Sequence, residues 1–251
     1  MHEAFFFGPD DRQIFAVYHP SVSTAGSVLT VICPPLFAEL NRTHGALRRL
    51  AIFLAEQGHH VLRMDYSGTG DSFGRLEEAT LANWVDDIAI TVQEGRDLSG
   101  CSAVRLLGVR ASALLACQLI GANNDVERLV LWDPVRDGAQ YLLALGREQA
   151  AVLEQHNFLG RAERRDALRN YRMYSLSEHM QEEFRSLTSR TYSDVPKNKL
   201  RIVSTSMADD FPVQGVSQDV VQFACNWETN TEGLIMSKPV LERLSQCLTM
   251  K

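Results

Sequence analysis

The residues with most to offer chemically stand just after short apolar runs. Arg110 lies in Gly108-Val109-Arg110-Ala111-Ser112, behind the run Val104 to Leu107. A guanidinium stays protonated and carries five donors in a rigid fork, so it can anchor a carboxylate or carbonyl but cannot attack one. Glu39, in Pro34-Pro35-Leu36-Phe37-Ala38-Glu39-Leu40-Asn41, is the acid placed to pair with it; Asp133 follows Leu129 to Trp132, and Asp209 and Asp210 follow Leu200 to Ser204. Cys33 ends an apolar run and reads as a core thiol. His44 and His59 flank the first expected helix, and His156 and His179 lie in a helical stretch; capping or surface roles suit all four, although either of the last two could descend as an unorthodox base. No histidine follows His179. Gly68-Thr69-Gly70 lacks both the Gly-x-Gly-x-x-Gly spacing and the lysine of a phosphate loop, so it does not read as a nucleotide loop and dinucleotide binding is not expected.

The elements that position these residues alternate. Phe5 to Phe7 and Ile14 to Tyr18 flank Gly8-Pro9-Asp10-Asp11 as a hairpin. Val28 to Cys33 is a continuous apolar run stopped by Pro34-Pro35, as in a strand buried on both faces. A helix follows, with Thr43 as N-cap, Leu47, Leu50, Ala51 and Leu54 inward and Gly58 past its end. Strands over His60 to Met64, Val104 to Leu107 and Leu129 to Trp132 then alternate with helices over Leu81 to Glu94 and Ala111 to Ile120. That spacing implies parallel crossover units and an α/β fold. From Asp137 to Ser193 the pattern is helical; Leu200 to Ser204 and Val220 to Ala224 resume as strands, and Ser237 with Pro239 opens a last helix through Leu248.

Asp65-Tyr66-Ser67-Gly68-Thr69-Gly70-Asp71-Ser72 resembles the D-x-x-G-x-G-x-S turn after the fourth strand of many esterases and peptidases. With the element order, the chain resembles the α/β-hydrolase superfamily over almost its whole length. Within it, the Pro-Pro-Leu-Phe-Ala-Glu-Leu-Asn loop and Gly108-Val109-Arg110 are most similar to hydrolases associated with bacterial exosortase systems. The resemblance implies about eight mostly parallel strands with helices on both faces, residues 1–136 and 194–251 forming the core and 137–193 a helical cap. It also implies a strained turn with small residues on either side of a nucleophile. Aligning Gly108 and Ser112 to the small positions puts Arg110 at the nucleophile, with Ser112 pointing away as a packing residue. The family's base would follow the eighth strand, where Trp227-Glu228-Thr229-Asn230 stand. Asp133, Asp209 and Asp210 survive as acids, but a carboxylate without its imidazole orients nothing. Arg110 at a helix N-terminus makes an anion site, which a buried bidentate pair with Glu39 can share.

The reading that follows is a noncanonical enzyme acting on an acyl, ester, thioester or amide group of a small metabolite, with Arg110, Glu39 and Asp133 as its working groups. Leu36, Phe37, Asn41, Val109, Asp209 and Trp227 are expected to contact the ligand. The alternative is a catalytically inactive binding or accessory protein; an ordinary hydrolase with a misaligned nucleophile is the weakest option. Arg161, Arg164, Arg165, Arg169 and Arg172 could form a positive lid, though Glu163 and Asp166 among them favour a salt-bridged face. With 251 residues and a net charge of −6, nucleic acid and anionic membranes exert no whole-chain attraction. No apolar run reaches the roughly 20 residues of a membrane span. The N-terminus carries no signal-peptide pattern, so a cytoplasmic protein is expected. Five scattered cysteines read as buried hydrophobes. Neither a metal nor a cofactor is expected; the partners are a small acyl or carboxylate ligand and, left open, a second copy.

Overall fold

A computed structural model describes residues 2–23, 28–122, 125–155, 163, 174–205, 213, 215–223, 227 and 234–250. The chain opens with the hairpin β1 (Glu3–Phe7) and β2 (Ile14–His19), then runs β3 (Val28–Cys33), α1 (Ala38–Glu56), β4 (His59–Met64), α2 (Leu81–Ser99), β5 (Ala103–Val109), α3 (Ser112–Ala122) and β6 (Arg128–Trp132). Among the described residues α4 (Gly138–Gln155), α5 (Glu178–Ser186) and α6 (Arg190–Ser193) follow, before β7 (Leu200–Ser204), β8 (Ser217–Val220) and α7 (Lys238–Thr249). The strands form one sheet in the order β1-β2-β4-β3-β5-β6-β7-β8, antiparallel among β1, β2 and β4 and parallel from there on. This is the α/β-hydrolase fold.

The apolar content of the central strands sets that arrangement. Leu29, Val31, Leu106, Leu129 and Leu131 join one core beneath α2 and α3, while Ile32, Leu107, Val109 and Val130 join another beneath α1 and α7. Strands buried on both faces have no polar face to offer water, so helices must cover both. Among the described residues no helix is long and apolar enough to cross a membrane.

Several boundaries differ from the sequence expectation: α2 runs five residues past Glu94 to Ser99 and β5 runs to Val109, and two further differences bear on the site and the sheet edge. Helix α1 begins at Ala38, and Thr43 lies inside it, its Oγ1 donating to the carbonyls of Glu39 at 2.9 Å and Leu40 at 3.2 Å. The proline pair ends β3 but leaves the chain free to turn helical at once, which places Glu39, Asn41 and His44 on the helix. Strand β8 lies at Ser217–Val220, ahead of the expected Val220 to Ala224. It is an edge strand with three of its four residues exposed, so it carries no apolar signature.

The Asp65–Ser72 turn is a structural clasp. Asp65 Oδ2 accepts from the Asp71 N–H at 3.1 Å, and Ser72 Oγ donates to the Asp65 carbonyl at 2.6 Å while accepting from the Phe15 N–H of β2 at 2.8 Å. Gly70 has φ +53 and any Cβ there would overlap the Asp65 carboxylate, so only glycine closes the turn.

Histidines sit in the sheet as neutral groups. His59 is buried beside Thr30 Oγ1 at 3.0 Å, and burial, with Arg105 and His60 nearby, lowers its pKa to about 4. The unfolded chain therefore takes up this proton first. Stability is full above the unfolded histidine value near 6.5 and falls as pH drops toward 4, by about 2–3 kcal/mol for this one group. Denaturant titrations at pH 7.5, 5.5 and 4.5 should give a shallower pH slope for His59→Gln than for the natural chain. Identical slopes would remove His59 from the acid response.

Candidate functional site

Among the described residues, three non-glycine residues have positive φ: Phe37 at +57°, Arg110 at +54° and Asp133 at +42°. They fall just after β3, β5 and β6, the carboxyl ends where ligands sit in open parallel sheets. Strain of this kind persists only where surrounding contacts hold it, and it concentrates at functional sites.

Arg110 stands at the apex of the turn from β5 into α3. Gly108 allows the turn to be sharp, since a Cβ there would lie 2.9 Å from Ala113 Cα. The Arg110 N–H donates to the Trp132 carbonyl at 3.0 Å, while its carbonyl accepts from the Ala113 N–H at 3.1 Å. Ser112, fully buried, donates from Oγ to the Pro34 carbonyl at 2.5 Å and so ties α3 to the end of β3.

The Arg110 side chain, 14% exposed, is shared among three neighbours. Its Nε donates to Glu39 Oε1 at 3.0 Å, its Nη1 donates to the Asp133 carbonyl at 3.0 Å, and its Cζ lies 4.9 Å from the centre of the Trp227 ring. The pair with Glu39 is single-point where a bidentate one was expected, because Tyr141 of α4 donates its hydroxyl to the other oxygen, Oε2, at 3.2 Å. Burial alone would lower the guanidinium pKa, but the Glu39 carboxylate more than offsets this and the net shift is upward. Tyr141 is pushed well above its ordinary value, first by burial and then by Glu39.

Asp133 is held equally firmly. Its carboxylate accepts from the Thr205 N–H at 2.6 Å, from Thr205 Oγ1 and from Trp227 Nε1 at 2.7 Å. Carboxylate, ring N–H and apical residue thus form a line: Asp133 orients the Trp227 indole, and the indole packs on Arg110. Neither an indole N–H nor a guanidinium gives up a proton near neutral pH.

A cleft of about 330 Å³ opens over this line. Arg110, Asp133 and Trp227 line it, joined by Tyr141, Gln140 and Arg147 of α4. Glu39 is buried behind Arg110 at 3% side-chain exposure. Three residues expected at the ligand lie in the core: Leu36 is 2% exposed, Phe37 packs against Trp84, Tyr141, Tyr174 and Phe184, and Val109 is fully buried beneath α1 and α7. Asn41 lines a different cavity, because α1 starts early and carries it away from Arg110. Asp209, Asp210, His156 and the arginines 161, 164, 165, 169 and 172 lie outside the described residues. His44 is exposed on α1, and His179 is exposed 3.8 Å from Glu183. Cys33 is fully buried, and burial raises its thiol pKa to about 12. Among the described residues no group of histidine, cysteine, aspartate and glutamate could hold a metal ion.

Sequence reasoning missed Tyr141, Gln140, Arg147 and Thr205. Thr205 directly follows β7, the same place in its crossover that Asp133 holds after β6, and that position was its only signal.

The fold and the strained turns at the ends of β3, β5 and β6 define an α/β-hydrolase-fold protein. Its structure is similar to GrgF, an α/β hydrolase from Penicillium sp. sh18, with 14% identity, 88% of this chain and 89% of that one covered, and a TM-score of 0.61. Mouse α/β hydrolase domain-containing protein 10 superposes with a TM-score of 0.55 at 15% identity over 98% and 96% of the two chains. Est1E from Butyrivibrio proteoclasticus, solved with ferulic acid bound, gives 0.55 at 16% identity over 80% and 77%. In sequence, 111 residues are 30% identical to the bovine mitochondrial palmitoyl-protein thioesterase ABHD10; the match takes in 40% of this chain and about a third, 34%, of that protein. No protein-family model matches the chain.

Proposed function

We propose that this chain uses the α/β-hydrolase cleft to bind a small carboxylate or acyl ligand on Arg110, without serine-hydrolase chemistry. The observation that carries this reading is the line Asp133–Trp227–Arg110. It has the connectivity of an acid–base–nucleophile triad, with a ring that cannot shuttle a proton and an apex that cannot attack. Arg110 spends Nε on Glu39 and Nη1 on Asp133, and among the described residues Nη2 has no acceptor. That leaves one end of the fork for a ligand oxygen in a cleft where Arg147 adds positive charge. Residues 137–193 then form the cap and 1–136 with 194–251 the core, in a cytoplasmic protein that binds no nucleic acid.

Catalysis by electrostatic orientation alone is the second reading. The Ala111 N–H, next to Arg110, has no acceptor among the described residues, so a carbonyl oxygen could be polarised there. The thioesterase named in the bovine match makes thioesters the first substrates to try.

Calorimetric titration of small carboxylates should find a ligand that Arg110→Lys binds at least tenfold more weakly, because an ammonium keeps the charge and loses the fork. A fluorophosphonate probe should leave every serine unmodified. Equal affinity in the variant, or stoichiometric labelling of any serine, would overturn the proposal. Thioester turnover that survives the probe would favour the second reading.

A further inference from the structure

A second cavity, of about 490 Å³, lies between the first turns of α1 and the carboxyl ends of β3 and β4, and it shares no lining residue with the Arg110 cleft. That volume is within the range of pockets that take small organic molecules. Its walls are mainly apolar, from Phe15, Val17, Ile32, Leu40, Leu47 and Met64.

Arg63 of β4 is the anomaly in this wall. The side chain is half-buried, and its Nε donates to His19 Nε2 at 3.3 Å. Among the described residues no carboxylate comes within 4.0 Å of its nitrogens. His19 cannot serve as a counter-ion, since burial and the Arg63 charge lower its pKa to about 4 and leave it neutral. Burial lowers the Arg63 pKa, the Asp65 carboxylate raises it, and Arg48, on the same helix as Asn41 and His44, lowers it again. Among the described residues the terminal nitrogens of the fork have no hydrogen-bond acceptor, so that end of the fork can take an anion that enters the cavity.

Two aspartates border the cavity. Asp65 is turned into its own loop, where it accepts from the Asp71 N–H at 3.1 Å and presses against Gly70. Asp71 is exposed at the rim. Asp65 offsets part of the Arg63 charge through space, but neither aspartate pairs with it by contact.

We propose that this cavity is a second ligand site, for a small amphiphile whose carboxylate docks on Arg63 and whose hydrocarbon part lies against Ile32, Leu47 and Met64. An apolar chamber with one free fork on its wall selects that combination: hydrocarbon alone leaves the guanidinium unpaired, and a purely polar anion leaves the walls unfilled. The site stands independently of the reading of the Arg110 cleft.

Decanoate and decan-1-ol, titrated calorimetrically below their aggregation limits, test it. Decanoate should bind the natural chain, bind Arg63→Gln at least tenfold more weakly, and bind decisively better than the alcohol. Asn41→Trp places an indole at the exposed rim without touching the core and should abolish binding, which keeps the test decisive if Arg63→Gln folds poorly. The site is rejected if decanoate does not bind the natural chain, if alcohol and acid bind equally, or if both Arg63→Gln and Asn41→Trp bind as the natural chain does. Loss in Arg110→Lys with retention in Arg63→Gln would assign decanoate to the other cleft and likewise reject the proposal.

Discussion

Glu39→Gln is expected to destabilise the fold by about 3–5 kcal/mol, the usual cost of breaking a buried ion pair from one side. The amide keeps the volume of the carboxylate and one acceptor, but leaves the Arg110 charge, 14% exposed, without its ion-pair partner. Arg110→Met strands Glu39 in the same way, with only the Tyr141 hydroxyl among the described residues to support it. Methionine retains a Cβ at φ +54°, so the backbone strain at the apex is unchanged and drops out of the comparison. The double variant removes both charges and should lose much less than the sum of the singles. Urea unfolding of the four proteins measures this directly. Additive losses would mean that the two groups are separately hydrated and that their 3.0 Å approach contributes no coupling. The cost says nothing in favour of the pair over an apolar substitute, since desolvating both charges can exceed their attraction. The pair is a device for holding a fork in place over the cleft.

Gly138→Ala should cost about 3 kcal/mol, at the upper end for overpacking, because the added methyl meets backbone and not a side chain that could swing away. Gly138 is the first residue of α4, and a Cβ there would overlap the Phe184 carbonyl of α5. Its own N–H donates to the Leu187 carbonyl at 2.9 Å, so the two helices are locked at this crossing. Relieving the overlap moves α4, and α4 carries Tyr141 one turn further on, the residue that holds the second oxygen of Glu39. The substitution should therefore lower the denaturation midpoint and weaken carboxylate binding at Arg110 together. A variant within about 0.5 kcal/mol of the natural chain, the range of ordinary surface changes, would show that the α4–α5 approach is looser than described.

Much of the architecture can be read along the chain, because burial leaves a local imprint. Val28–Cys33 is a strand with the expected bounds, since a run with no polar residue but Thr30 can only be buried on both faces. The hairpin and α2 from Leu81 follow in the same way from period, proline and glycine, whereas the turn at Asp65–Ser72 is legible through its resemblance to the D-x-x-G-x-G-x-S motif. Where burial is weak the imprint fades: exposed β8 was expected three residues late, and α1, which begins without a side-chain cap, was expected to wait for Thr43. The site is legible only in part. Arg110, Glu39, Asp133 and Trp227 could be named, because each stands where a strand ends or where the family's base would follow one. Their partnership could not. Arg110 and Glu39 are 71 residues apart, Trp227 and Asp133 are 94 apart, and Tyr141 and Glu39 are 102 apart. No periodicity spans such distances. The parallel register of β3, β5, β6 and β7 brings those residues to one edge of the sheet, and the packing of α4 on α5 adds Tyr141. Which oxygen of Glu39 faces which donor is therefore decided by tertiary structure, because hydrogen-bond geometry depends on positions that only the assembled sheet defines.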